Sequence, residues 1–346
     1  MQHNPHSPAT VDSPAAFFNF SSGSGRWAAE RFVAATRAGM GIKALSPSVL
    51  RTAEVLTRDE WKVFDTELVA EGQIRLRGVA DLVAAGLVKR IPNGLAKTVL
   101  EYQTISDMDP AIVSLDGVTR SFNDRIEFGS AGIPLPITHK DFYINLRTLL
   151  ASRTSGEALD TTYVRVAGRK IAETTENMLF NGGKTFGSLP IYGYTTHPNR
   201  NLMSFGSGGD WGQAAKTGAQ IVTDVSGAVA LLEGDRMYGP YMIYTGSDAS
   251  LKLQEDYKAE GDATIRERIL QLDNVQGIRV ADQLADGEVV VVQMTPDVVQ
   301  MVEGEPLQTV QWDVHGGFQI NFKAMTIMVP LIRSDPEGRS GIVHIS

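Results

Sequence analysis

Gly182-Gly183-Lys184-Thr185 is the segment of this sequence closest in type to a phosphate-binding loop. Its chemistry would be a cradle of backbone N–H groups with a lysine on the phosphate oxygens. That motif needs a further glycine five positions before Gly183 and a strand leading in. The position holds Met178, and the lead-in has helical spacing, so the double glycine reads as a helix stop. The histidines at 3, 6, 139, 197, 315 and 344 include no H-x-x-x-H pair that would put two ring nitrogens on one helix face. His139-Lys140-Asp141 could work as an acid–base cluster. On a strand, however, His139 and Asp141 share one face and Lys140 the other, which fits a surface edge. Asp107 and Asp109 precede Pro110 and read as turn residues, and Gly206-Ser207-Gly208-Gly209 as a flexible connection. No G-x-S-x-G elbow occurs. The absence of cysteine excludes a disulfide scaffold, a thiolate zinc site and a cysteine nucleophile together. No catalytic, cofactor-binding or metal-binding residue is nominated, no cofactor is expected, and the chain is not expected to be an enzyme. An unrecognised α/β site in residues 238–303 is the alternative of a different class.

The elements that would position such groups follow from hydrophobic period. Thr57-Arg58-Asp59-Glu60 has the form of a capping box, and Trp61, Phe64 and Leu68 continue on one helical stripe. A second amphipathic run spans Val79 to Val88 and ends near Pro92-Asn93-Gly94. From Val99 to Leu146 the period is strand-like. Ile112–Leu115 and Val118–Arg120 flank Asp116-Gly117, a two-residue hairpin signal because a type I′ turn needs positive φ. Gly129, Gly132, Pro134 and Pro136 interrupt the run, and Phe142–Leu146 resumes it. This excursion of about forty residues holds too few core positions to stand as a domain. A long helix is predicted from Asp160 to Asn181. Its apolar stripe is Val164, Ala167, Ile171, Thr175 and Met178, with Arg165, Arg169, Glu173 and Glu176 placed on the surface and Arg169–Glu173 as an i,i+4 pair. Another helix is predicted from about Trp211 to Leu232, striped by Ala215, Ala219, Val222, Val225, Val229 and Leu232. Beyond Gly239-Pro240 an α/β segment follows. It has strands at Tyr241–Tyr244, Val275–Val280, Val289–Met294 and Val298–Val302, and helices at 247–258 and 263–272. Two long strands close the chain, with Phe318, Ile320 and Phe322 alternating against Gln319, Asn321 and Lys323.

Composition sets the class. Of 346 residues, 42% are hydrophobic and 21% charged, which excludes wholesale disorder and leaves ample material for a core. No run approaches the roughly 20 apolar residues of a membrane helix. Met1-Gln2-His3-Asn4-Pro5-His6 has neither a basic nor an apolar leader region, so no signal peptide is expected. The net charge of −8 argues against a dedicated nucleic-acid binder. Arg26, Arg31, Arg37 and Lys43 outnumber Asp12 and Glu30 in residues 1–50, so the acidity belongs to the body. Residues 1–25 are rich in Ser, Pro, Ala and Asn yet carry Phe17, Phe18 and Phe20, with Trp27 and Phe32 following. Such a tail cannot bury these rings internally; it docks either on another surface or on its own domain.

The ordered set of elements resembles the encapsulin and tailed-bacteriophage major capsid proteins of the HK97-like fold. Gly132–Ile137 through Phe142–Leu146 is similar to the strand leading out of that family's extended E-loop. Asp160 to Asn181 is similar to its spine helix, and Gly239-Pro240-Tyr241-Met242-Ile243 to the entry of its axial domain. Thr57–Trp61 resembles the first encapsulin helix, and Phe318–Ile332 the return to the peripheral domain. The resemblance implies an α+β HK97-like capsid fold divided into four parts. These are an N-terminal arm (1–56), a β-rich E-loop (99–140), a peripheral domain (57–98, 141–237 and 304–346) and an axial α/β domain (238–303). It implies a structural subunit that self-assembles into hexamers and pentamers of an icosahedral shell enclosing phage DNA. The alternative is an encapsulin compartment with enzyme cargo; the arm before Thr57 favours phage. Inter-subunit contacts are expected at Phe17, Phe18, Phe20 and Trp27 of the arm and at Asp116, Gly117 and Arg120 of the loop. Further expected partners are decoration, scaffold and portal proteins and non-specifically held double-stranded DNA, with no membrane. The expected location is the virion, assembled in the host bacterial cytoplasm. Some capsids of this fold cross-link an E-loop lysine to an asparagine. Residues 98–139 contain no lysine, so a non-covalent shell is expected.

Overall fold

The computed structural model describes residues 64, 66–72, 76–105, 111, 113, 115, 125, 126, 128–155, 161–258 and 263–346. The arm aromatics Phe17, Phe18, Phe20 and Trp27, the Thr57–Glu60 box, and Asp116, Gly117 and Arg120 lie outside them.

Residues 66–72 are helical, and Phe64 and Leu68 of the expected stripe are buried. The second amphipathic run is divided. Helix α1 (Gly78–Ala84) stops at Gly86, whose φ of 72° is left-handed, and Val88 opens β1 (Val88–Arg90). The extended excursion comprises β2 (Val99–Ile105), β3 (Phe128–Pro134) and β4 (Thr138–Asn145), followed by α2 (Leu146–Ser155). The long helix is α3 (Thr162–Phe180), about 28 Å at 1.5 Å per residue. All five stripe residues are buried. Gly182 and Gly183 take φ of 57° and 77° and end the helical path, as a stop rather than a phosphate loop. At Gly168 a β-carbon would lie 2.9 Å from the Leu68 carbonyl oxygen, so only glycine lets the preceding helix approach α3 this closely.

Strands β5 (Lys184–Phe186), β6 (Leu189–Ile191) and β7 (Asn201–Met203) lead to α4 (Gly218–Gly234). That helix starts later than Trp211. Thr217 and Gln220 form its capping box, with the Gln220 N–H donating to Thr217 Oγ1 at 3.4 Å and the Thr217 N–H to Gln220 Oε1 at 2.8 Å. Its buried face runs through Ile221, Val225, Ala228 and Leu232, rotated from the expected stripe; Ala219 is exposed. The α/β segment holds β8 (Tyr241–Thr245), α5 (Ala249–Lys252), α6 (Ile265–Leu270), β9 (Val275–Val280) and β10 (Val289–Gln293), its helices shorter than expected. Two long strands, β11 (Val299–Val314) and β12 (Gln319–Ile332), precede a short β13 (Ile342–Ile345) that periodicity does not separate from them.

The described residues form two compact units, 143–155 with 311–321, and the remainder. In the small unit the Leu146 N–H donates to the Phe318 carbonyl at 2.9 Å and Leu149 is buried. Phe318 is exposed, against the expected alternation, because it follows the 3-10 turn His315–Gly317 instead of lying within β12. Ile320 and Phe322 keep the buried face.

The strands form sheets ordered β1-β11-β12-β4 and β7-β13-β10-β8-β9, the second wholly within the large unit. In the second, β8 runs antiparallel to β10 and parallel to β9, and β13 pairs antiparallel with β10. Both faces of this sheet are covered. Tyr241, Ile243, Val289, Val291 and Val343 pack with Ile221, Val225 and Ile269 of α4 and α6. Met242, Tyr244, Val290 and Val292 pack with Val79, Leu82, Leu179 and Phe180 of α1 and α3. Double-sided burial explains why Val289–Val292 is an unbroken apolar run.

Candidate assembly surface and buried polar sites

Strands β2 and β3 form a two-stranded antiparallel ribbon, in register from Val99–Pro134 to Ile105–Phe128. Its base is anchored: Ile133 and Leu135 join Ile91, Met178, Ile191, Val302 and Val329 in one cluster. The Arg333 guanidinium lies 5.7 Å from the Tyr102 ring centroid at this base. Away from the base burial is lost. Phe128 is 67% exposed, and Val113 and Leu115 in the connecting segment are fully exposed. Apolar side chains held in water on a narrow ribbon mark a surface made to be covered. The expected contact residues Asp116, Gly117 and Arg120 belong to the same segment but lie outside the described residues.

The β9 edge of the five-stranded sheet is occupied by side chains instead. On the terminal strand β9 the Ile278 and Val280 carbonyls accept from the Arg266 and Arg77 guanidinium groups at 3.0 and 2.9 Å. Occupied carbonyls do not template another strand.

Glu176, expected on the surface of α3, is 4% exposed. Its carboxylate accepts the first N–H groups of α1: Gly78 at 2.6 Å, Arg77 at 3.2 Å and Val79 at 3.3 Å. Helix starts leave unpaired N–H groups, and here a side chain from another helix satisfies them. Burial outweighs these bonds, and with the charge of Asp81 it pushes the Glu176 carboxyl up to about 7. Asp81 in turn takes the Arg279 guanidinium at 2.8 Å and the Tyr244 hydroxyl at 3.2 Å; burial raises its carboxyl above the usual range while Arg279 opposes the rise. The Tyr194 hydroxyl is buried without a hydrogen-bond partner, and desolvation, with Glu176 and Asp81, holds it well above the usual phenol range. Beside Glu176 lies a cavity of about 100 Å³ lined by Arg77, Glu173, Glu176, Asp282 and Gln283. Sequence periodicity carries no signal for this site, because Glu176 and its partners lie far apart in the chain.

A second buried site corrects the flexible-connection reading of Gly206–Gly209. Lys216 Nζ and Asp224 Oδ2 are 2.7 Å apart and both are buried. Asp224 also accepts the Trp211 indole N–H at 3.1 Å and the Gly206 N–H at 3.2 Å, and the ammonium lies 5.6 Å from the Phe205 ring centroid. The loop is therefore pinned at Gly206. Trp211, read as helical, is instead buried before α4 as a donor to that helix's Asp224.

The other described candidates have the following surroundings. His139 is exposed on β4, and Asp141 pairs with Lys323 at 3.7 Å, which matches a surface edge. His344 accepts from Arg200 Nε at 3.4 Å, and the Arg200 guanidinium donates to the His197 carbonyl at 3.0 Å. Burial together with this cation lowers His197 to about 4. Among the described residues no cluster of His, Cys, Asp or Glu could hold a metal, and no helix is long and apolar enough to cross a membrane.

Three solved structures share this architecture. A virus-like particle from Pyrococcus furiosus aligns at 16% identity and a TM-score of 0.61, over 84% of this chain and 100% of that one. The capsid of Myoviridae phage XM1 aligns at 11% identity and 0.57, over 76% and 90%. The capsid of a native GTA particle aligns at 12% identity and 0.54, over 75% and 88%. No curated protein matches the sequence. Residues 51–345 match a family described as "Family of unknown function (DUF6260)". The chain thus belongs to the DUF6260 family, and it has the α+β HK97-like capsid fold.

Proposed function

We propose that this chain is the major capsid protein of a tailed phage, self-assembling through hexamers and pentamers into a closed icosahedral shell around double-stranded DNA. The observation that carries this reading is the β2–β3 ribbon, anchored at its base, with Phe128 exposed at its far end and Val113 and Leu115 exposed in its connection, in a chain of capsid fold. Such a ribbon gains stability by lying on a neighbouring copy. The domain division expected from the sequence goes with it. The axial domain is built on β8, β9 and β10 of residues 238–303, with β7 and β13 added to their sheet from the flanking segments. Phe17, Phe18, Phe20 and Trp27 add arm contacts to neighbours, and Asp116, Gly117 and Arg120 add loop contacts. Decoration, scaffold and portal proteins are the further partners, the virion the location, and the host cytoplasm the place of assembly. The subunit has no catalytic role in this reading. An encapsulin compartment is the weaker reading, since phage and GTA capsids stand among the structural neighbours.

Electron microscopy of the purified full-length protein tests the proposal. Closed shells are expected, and particles from infected or induced cells should protect DNA from nuclease. Monomers at every concentration would refute self-assembly, and shells filled with a co-purifying enzyme would select the encapsulin reading.

The shell should be non-covalent. Lys97 and Lys140 flank the ribbon segment, which itself lacks lysine, and an arginine guanidinium stays protonated and is a poor nucleophile. Denaturing electrophoresis of mature particles should show one band near 37.5 kDa. A ladder that survives boiling would overturn this and direct attention to those two lysines.

A further inference from the structure

Helix α1 is seven residues long, too short to persist without outside support. Two carboxylates supply that support from different directions. Glu176 of α3 accepts the N–H groups of Arg77, Gly78 and Val79, while Asp81 of α1 reaches Arg279 on β9 and the Tyr244 hydroxyl on β8. Helix α1 thereby adds a polar tie between α3 and the five-stranded sheet, beside the direct ring contact of Phe180 with Tyr244. We infer that Glu176 is a proton switch in this joint, which is closed while its carboxyl is neutral and opens more readily once it is ionised.

The surroundings of Glu176 decide the direction. From the start of α1 it meets Arg77, whose guanidinium is turned away to the Val280 carbonyl, and the negative Asp81. From its own helix, Glu173 lines the same cavity and is paired with Lys170 at 2.6 Å. Tyr194 and Tyr244, both phenols that burial keeps protonated, face the acid pair from the segment after β6 and from β8. Beyond β9 stands Asp282, and the Arg279 cation is already engaged by Asp81. Among the described residues no cation is bound to Glu176 itself, and there its ionised form relies on three N–H groups against desolvation and a neighbouring negative charge.

The sign follows from linkage. An opened α1 exposes Glu176 to water, where it ionises at its ordinary value of 4.5, whereas the closed form holds the proton up to about 7. The closed joint is therefore most favoured below the ordinary value. It loses that advantage as pH rises, with opening increasing by about tenfold per pH unit across the window and levelling off above it.

Hydrogen exchange of residues 77–84 in the full-length chain, corrected for intrinsic exchange and measured at constant assembly state from pH 5 to 8, reads this opening. In the wild type protection should fall by about fortyfold between pH 5 and 7, where the closed form is half ionised, and level off towards pH 8, given carboxyl values of 4.5 open and about 7 closed. Glu176→Gln keeps an acceptor oxygen for Gly78 but cannot titrate, and its protection should be flat with pH. Asp81→Asn removes the adjacent negative charge and should move the plateau to lower pH. Wild-type protection that does not change between pH 5 and 8 overturns the inference, and this needs no variant to fold. A Glu176→Gln protein with the wild-type slope overturns it equally.

Discussion

Deleting residues 108–124 is expected to leave a folded subunit that no longer closes into shells. The deletion spares every registered pair of the ribbon, which begins at Val99–Pro134 and ends at Ile105–Phe128. It also spares Ile133 and Leu135, which bind the ribbon's base to the large unit. Val113 and Leu115, the large described apolar residues removed, are exposed in the subunit, as is Ala111, so their loss costs no core packing. Covering each on a neighbour is worth about 1.5–3 kcal/mol, and a shell repeats the contact in every copy. Sedimentation and electron microscopy should show subunits or small oligomers in place of shells, with the thermal transition of the unassembled subunit unchanged. Normal shells from the deleted chain would remove the ribbon from the assembly mechanism. A subunit that fails to fold would make the ribbon part of the fold instead.

Asp224→Ala is expected to destabilise the subunit by about 3–5 kcal/mol, because it strands the Lys216 ammonium in a buried site. The Trp211 indole and the Gly206 N–H lose their acceptor in the same change. Lys216→Met should cost less, since Asp224 keeps those two donors. The double variant Lys216→Met with Asp224→Leu should recover much of the loss, as it removes both charges, but not the share owed to Trp211 and Gly206. Equilibrium denaturation of the unassembled subunit provides the comparison. If Asp224→Ala and Lys216→Met prove equally mild, the pair is incidental to stability.

Several elements are legible in the amino-acid sequence alone. The three-and-four spacing from Val164 to Met178 places α3, and the glycine pair at 182–183 places its end. Four consecutive valines mark β10, and the extended period after Val99 marks the ribbon strands. The succession of these elements resembles the capsid fold that the chain adopts. These features are local: a few adjacent residues decide whether a segment is helical or extended and which face is apolar. Gly182-Gly183 is a helix stop and His139 with Asp141 a surface edge for the same local reasons, while Asp107 and Asp109 lie outside the described residues. The arm and loop-tip contact residues lie outside the described residues and remain expectations of the capsid reading.

The features that only the tertiary structure decides are those in which a residue's partner is distant in sequence. Glu176 belongs to the polar face of α3 by period, yet it is buried because the start of α1 needs an acceptor. Trp211 extends an apolar stripe by period, yet it is withdrawn from α4 because Asp224 takes its indole N–H. Phe318 fits the alternation of β12, but the 3-10 turn before it sets it in water. Strand β13 joins β10 in a sheet whose other members come from much earlier in the chain. Periodicity tells each segment which face to hide. Which element covers that face, and which buried charges and N–H groups must then be paired, is settled only when all of them desolvate together.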